Sequence, residues 1–359
     1  MKHDIQRRTL LAGLLGGSLF TISGCAPAQV AYNPSGPGIV DVVVPYSSGG
    51  GTDTWARFIT PYFAKLDPQI NRYQIQNIPG GESITGTNAY VHAGTRDGRQ
   101  LLVSSATTYF QSMLDHSAAE FDFAELEPLA LNGTGAVVWT NVESGIRSID
   151  DLLSYGKPVK YAGMSASGLD LVALLGLEAL GVEVRGVYGF EGRGPTRLSV
   201  QRNETHLDFQ TTATYLTQVQ PLVDAGQAVP LFSVGELDGN EIVRDPNLPD
   251  VPTLSEIVGG DSLAYRAFRS FAAPGFFFQK GLWTNSETDQ RVLDNYDSMV
   301  KALNADPEFL DEAKDALGGY SLLSGPEVRD QFRSALTIPE DVLNYTKDFL
   351  LNKHGSALH

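Results

Sequence analysis

The chain has 359 residues, 42% of them hydrophobic and 19% charged, too long for one compact core and suited to two domains. Its formal charge of −16 leaves no basic stripe to release counterions from a phosphate backbone, which excludes nucleic acid as a partner.

The first 25 residues differ from the rest. Lys2, Arg7 and Arg8 form a basic head before an apolar run from Leu10 to Ile22. A bilayer span needs about 20 apolar residues, so the run fits the core of a secretory signal instead. Arg7-Arg8 followed by Thr9-Leu10-Leu11 resembles a twin-arginine export signal, with the general secretory route as the alternative. Cys25, the single cysteine of the chain, ends Ile22-Ser23-Gly24-Cys25 and resembles a lipidation site. Residues 1–24 are therefore expected to be a signal peptide and 25–38 a lipidated, Pro/Gly-rich tether. This places the protein on the outer side of the cytoplasmic membrane, held by its lipid. With one cysteine, disulfides and thiolate metal sites within the chain are excluded.

Strands and helices alternate from Ile39 onward. Ile39–Val44 is a β-branched run bounded by Pro45, as in a buried strand. After the polar loop Tyr46–Thr52, Trp55, Phe58, Ile59, Tyr62 and Phe63 follow helical spacing. Further strands are predicted over 73–76, 100–104, 136–140, 158–162, 184–187, 207–210 and 229–234. Helices are predicted near 87–93, 148–153, 169–180 and 214–225. After Phe271 the chain reads as mainly helical, over 289–303, 307–317 and 326–347. The alternation predicts an α/β fold with mostly parallel sheets.

Two loops carry the functional signal. Pro45-Tyr46-Ser47-Ser48-Gly49-Gly50-Gly51-Thr52-Asp53 joins a strand to a helix start. Helix starts expose unpaired N–H groups and partial positive charge, and contiguous glycines let an anion approach the backbone. Thr52 or Asp53 is expected to cap that helix; a capped turn without a ligand is the plainer alternative. Gly163-Met164-Ser165-Ala166-Ser167-Gly168-Leu169-Asp170 is a second loop of this type, with Ser167 or Gly168 near the cap. Neither is a nucleotide loop, because no Gly-Lys-Ser/Thr follows and the glycines are not spaced as in a dinucleotide fingerprint. A hydrolase elbow at Ser165 lacks its last glycine, which is Ser167, and only His206, His354 and His359 lie downstream. The six histidines lack metal-ligand spacing, and His92, His116 and His206 are expected at the surface or as satisfied core residues. No metal, cofactor or catalytic residue is expected. Phe276-Phe277-Phe278 is expected to pack or cover a hinge.

From Ile39 to about Leu350 the chain resembles the solute receptors of tripartite tricarboxylate transporters, the TctC/Bug receptors. The resemblance rests on Val44-Pro45-Tyr46 through Gly49-Gly50-Gly51-Thr52-Asp53 with Ala56-Arg57, and on Asn77-x-Pro79-Gly80 with Gly86 and Asp97-Gly98. It continues through Tyr161-Ala162 with the loop to Gly168, and Gly192-x-Gly194-Pro195. Leu248-Pro249-Asp250-Val251-Pro252-Thr253-Leu254-x-Glu256, then Ala273-Pro274, complete it. It implies a two-lobed, type II periplasmic-binding-protein-like fold, each lobe a sheet flanked by helices. Residues 39–137 with 251–359 would form lobe I and 138–250 lobe II. It also implies a monomeric, non-enzymatic receptor that passes a di- or tricarboxylate or aromatic carboxylate to membrane permease subunits. Carried over, the ligand residues are Tyr46, Ser47, Ser48, Gly49, Gly50, Thr52 and Asp53 in one lobe and Ser165, Ala166, Ser167 and Gly168 in the other. Ser104, Ser105, Thr211 and Thr212 are added to them. No lysine enters the expected site.

The chain departs from the family pattern at Gly81-Glu82-Ser83, at the serines of the second loop, at Leu171 and at Gly275-Phe276-Phe277-Phe278. Glu82 is expected as a solvated loop carboxylate; facing the cleft, it would select a ligand with an amine or hydroxyl. Arg193 is expected at the surface, or else reaching a second ligand carboxylate. A sensor for a two-component system and an exported serine hydrolase are the alternative functions.

Overall fold

A computed structural model describes residues 37–93, 95–238 and 241–358, all within one compact unit. The expected signal peptide, Cys25 and nearly all of the expected tether lie outside the described residues. Among those described, no helix is long and apolar enough to cross a membrane.

The β-branched run forms strand β1 (Ile39–Val44), followed by β2 (Arg72–Asn77), β3 (Gln100–Ser105) and β4 (Leu126–Asn132). Next come β5 (Ala136–Asn141), β6 (Val159–Ala162), β7 (Val184–Val187), β8 (Leu207–Thr211) and β9 (Ala228–Ser233). A small hairpin, β10 (Glu236–Asp238) and β11 (Glu241–Val243), precedes β12 (Lys280–Asn285) and the short β13 (Leu322–Leu323). Two sheets result, one per lobe: β13-β4-β12-β3-β1-β2 and β7-β6-β8-β5-β9.

The sheets are mixed, a correction to the parallel expectation. β1 runs parallel to β2 and β3, but β12 lies antiparallel between β3 and β4. In lobe II, β6 is parallel to β7 and β8, while β5 is antiparallel to β8 and β9. β4 and β12 escape a sequence reading because Pro128 interrupts the first and Lys280-Gly281 open the second. Proline cannot donate to a ladder, so it sits at a bulge. The register shifts where Trp283 meets Pro128, and the same device recurs in lobe II where Trp139 meets Pro230.

The helices that matter to the cleft are α1 (Gly51–Leu66), α2 (Ile84–Ala93), α3 (Ala106–Met113), α4 (Ile149–Leu153), α5 (Asp170–Ala179) and α6 (Arg193–Gln201). On α1, Trp55, Ile59 and Phe63 fall on one face and are buried against the first sheet. The helix expected over 214–225 carries a π turn, Tyr215–Val219, just ahead of Pro221, whose missing N–H breaks the regular ladder. The helix expected over 326–347 is two, Pro326–Leu336 and Glu340–His354, separated at Pro339.

The lobe boundaries also shift. The chain first crosses at 133–135, between β4 and β5, and returns through 273–279 rather than near 250. Helix Leu263–Ala272 packs on α5, and helix Glu340–His354 packs on Leu263–Ala272. Glu178 of α5 accepts from Tyr345 and Lys353, and Tyr188 hydrogen-bonds His354. Residues 254–272 and 340–354 therefore belong with lobe II, because their apolar faces are complementary to α5 rather than to the first sheet. The crossings are tight: a Cβ at Gly133 would stand 2.7 Å from the Phe277 carbonyl oxygen. Phe276 packs on Phe209 of lobe II and Phe278 on Phe332 of lobe I. The triple phenylalanine thus joins the two cores across the hinge, as expected.

Candidate ligand-binding site

The carboxyl ends of β1, β3 and β6 each feed a helix start, and ligands of open α/β sheets bind at such ends. None of the three helices, α1, α3 and α5, has a side-chain hydrogen bond at its cap. Thr52 and Asp53 lie inside the first turn of α1, with Gly50 at the cap, so the capping expectation is corrected. Asp53, 1% exposed, instead folds back to accept from the Gly49 amide at 2.8 Å, Arg57 Nε at 2.9 Å and Asn77 Nδ2 at 2.9 Å. Burial works to raise its pKa, but the bonds from Arg57, Gly49 and Asn77 outweigh it and hold the carboxyl down to about 2. Asn77 Nδ2 also donates to the Tyr46 carbonyl, so the Asn77-Pro79-Gly80 block buttresses the first loop.

What remains open is the tip of that loop. The first backbone bond of α1 is Thr54 N–H to Gly50 O, and the amides of Gly51, Thr52 and Asp53 find no acceptor among the described residues. Ser47, Ser48, Gly49, Gly50 and Gly51 are exposed, and a Cβ added at Gly49 or Gly51 would meet nothing within 4 Å.

Behind the tip runs a chain of hydroxyls. Tyr46 Oη lies 2.7 Å from both Ser105 Oγ and Thr108 Oγ1, and Thr108 Oγ1 lies 2.8 Å from Ser83 Oγ. Ser104 Oγ is buried and finds no partner among the described residues. β12 brings Lys280 directly opposite Ser105, a residue that the sequence reading missed inside a stretch taken as helical. Lys280 is half-buried, forms no ion pair or side-chain hydrogen bond among the described residues, and burial pushes its ammonium down to about 8.

Lobe II answers with a loop of the same construction. α5 begins at Asp170, with Leu169 rather than Ser167 or Gly168 at the cap. Asp170, also 1% exposed, accepts from Tyr161 Oη at 2.6 Å, the Met164 amide at 2.8 Å and the Ser165 amide at 3.3 Å. Arg193 completes the network, 2.7 Å from Asp170 and 3.6 Å from Asp208, with its guanidinium 3.7 Å above the Phe209 ring. Arg193 is thus an internal strut rather than a surface charge. Burial pushes the Asp208 carboxyl up to about 7, against the pull of Arg193. The amides of Ala166, Gly168 and Leu169 find no acceptor among the described residues.

The two loops meet. Gly168 approaches Thr107 at the start of α3, where an added Cβ would stand 3.5 Å from the threonine side chain. Glu82 is exposed, as expected, and also reaches across to lobe II. Ser165 Oγ donates to it at 2.6 Å, Ser167 Oγ at 3.1 Å and Gln111 Nε2 at 3.1 Å. Ser165 therefore donates to a carboxylate and meets no histidine among the described residues. His206 accepts from the Lys160 amide beside Tyr155, and His354 packs on Tyr188 and Phe349. That geometry removes the hydrolase reading. Among the described residues no cluster of His, Cys, Asp and Glu could hold a metal ion.

Thr211 and Thr212 stand apart from the loops. Thr212 Oγ1 donates to Asp245 at 2.8 Å, Tyr320 Oη bonds the same carboxylate, and the Gly135 amide donates to Tyr320 Oη at 2.9 Å. Thr211 Oγ1 donates to Thr214 at 3.3 Å. Thr212 is hinge structure. The Leu248–Glu256 segment belongs to lobe II: Leu248 and Val251 are buried with Val137 and Trp139, Thr253 and Glu256 form a capping box, and Arg244 clamps Glu256 with two nitrogens.

No family model matches the chain. A UPF0065 protein of a Pseudomonas species, from the tcbD-tcbE intergenic region, is 26% identical over 341 residues, 92% of each chain. Among solved structures, a TctC solute-binding protein from Polaromonas superposes with a TM-score of 0.63 at 17% identity, covering 88% of this chain and 98% of its own. MatC from Rhodopseudomonas palustris, with bound malate, gives 0.59 at 21% identity over 86% and 97%. An R. palustris protein with adipate gives 0.62 at 20% identity over 89% and 97%. The structural neighbours are TctC/Bug periplasmic solute-binding proteins, and the fold of this chain is the two-lobed fold of that family, as the sequence resemblance implied.

Proposed function

We propose that the chain is an exported, lipid-anchored solute receptor that holds a small carboxylate between its lobes and hands it to a membrane permease. One observation carries the reading: the open loop before α1 leaves three amides, Gly51, Thr52 and Asp53, without an acceptor among the described residues. A carboxylate there gains about 1.5–3 kcal/mol per charge-assisted bond, and two or three such bonds beyond the association cost give micromolar binding. The Tyr46–Ser105–Thr108 hydroxyls and Lys280 supply further donors beside it. Malate in one structural neighbour and adipate in another support a carboxylate ligand.

The test is calorimetric. Protein starting at Cys25, stripped of ligand by unfolding and refolding, should bind at least one member of a panel of small mono-, di-, tri- and amino-carboxylates and gain thermal stability with it. Lys280→Met should weaken that ligand about tenfold, the worth of one charge-assisted contact. A panel without a single binder ends the receptor reading. For the anchor, Cys25→Ser should abolish incorporation of labelled fatty acid and release the protein from the membrane fraction.

A further inference from the structure

One of the side chains that bridge the lobes is an acid on a forced backbone. Glu82 has φ +52° and Ser83 φ +79°, so two successive L residues occupy the left-handed region that costs them energy. This kink delivers the Glu82 carboxylate to Ser165, Ser167 and Gln111, and all three partners are neutral. No Lys or Arg among the described residues pairs with it. Arg57 is committed to Asp53, and Arg193 to Asp170 and Asp208. Gln111 is buried, and its Oε1 has no hydrogen-bond partner among the described residues although its Nε2 donates to Glu82. Amides stand open at both helix starts, and Lys280 lies opposite Ser105, whereas Glu82 brings a carboxylate with only neutral partners to the point where lobe I meets lobe II.

Resting on the carboxylate-receptor reading, we propose that Glu82 is a specificity-determining residue and that the ligand is an amino-carboxylate. Its carboxylate lies on the α1 loop and its cationic N–H donor end lies against Glu82. A dicarboxylate of equal length brings its second negative group to a fixed one, and two carboxylates in contact cannot both stay ionised. An ammonium there finds a counter-charge.

The experiment compares matched pairs by calorimetry: succinate with β-alanine, glutarate with γ-aminobutyrate, and adipate with δ-aminovalerate, with butyrate as the monocarboxylate control. The native chain should bind the best amino-carboxylate at least tenfold more tightly than its dicarboxylate partner. Glu82→Gln should reverse the order, each ligand moving about tenfold in opposite directions, while butyrate moves less than threefold. Glu82→Asp keeps the charge and should keep the sign of the preference. The proposal is overturned if Glu82→Gln leaves the ratio unchanged, or if Glu82→Asp behaves as Glu82→Gln does. It is also overturned if the native chain favours the dicarboxylate. If butyrate and every pair fail to bind native and variant chains alike, the receptor reading itself falls.

Discussion

The loops before α1 and α5 follow one plan with different outcomes. Each carries an aspartate that turns back onto its own loop amides and is tied to an arginine, Asp53 to Arg57 and Asp170 to Arg193. In lobe I the arginine is 49% exposed and the loop tip stands open. In lobe II the arginine is 19% exposed, a second acid joins it, and the loop serines already hold Glu82. One turn has an open tip; the other is engaged by Glu82. An internal carboxylate stiffens a helix start by consuming some of its donors, so the donors left over define what can bind.

The largest expected effect tests the buried side of that contrast. Asp170→Ala strips an acceptor from Tyr161 and two amides and leaves Arg193 facing Asp208 alone. Breaking a buried pair in this way costs about 3–5 kcal/mol, measurable by urea denaturation. Next comes the pH response of Asp208, whose folded pKa of about 7 lies above its ordinary 3.8. The fold then binds a proton that the unfolded chain releases. The Asp208 contribution is most favourable below pH 4, declines as pH rises through 4 to 7, and levels above it. Asp208→Asn should flatten this slope relative to the native chain, by no more than about 4 kcal/mol across the window. A native chain and variant with identical pH curves would remove Asp208 from the network.

Asp53→Ala should cost less than Asp170→Ala, about 1–3 kcal/mol, because water screens half of Arg57. Equal losses from the two alanines would erase the contrast between the loops. Asp53 has a depressed pKa, so its contribution is complete above about pH 4 and fades as pH falls toward 2. The smallest stability change belongs to Gly51→Ala, whose Cβ enters open space at a helix start. It should alter stability by less than about 1 kcal/mol yet weaken the ligand about tenfold by blocking approach to the amides. Unchanged affinity would mean that the open tip is not where the ligand sits.

Much of the local structure was legible. β1 and the helix of Trp55, Ile59 and Phe63 follow from β-branched composition and helical spacing, and Gly49–Gly51 marked an open turn at a helix start. Other features were hidden for stated reasons. Pro128 and Lys280-Gly281 disguised the two strands that make the first sheet mixed, because the bulge that accommodates the proline is a property of the pair. Lys280 gave no signal, since its place beside Ser105 depends on strand register.

Local propensity, glycine placement and hydrophobic period act over a few residues, and these by themselves determined the strand–loop–helix units and their kind of chemistry. Tertiary structure alone decided which donors stay free and which side chain closes the cleft, because Glu82 and Ser165 stand 83 residues apart and meet only when two separately built sheets are brought face to face.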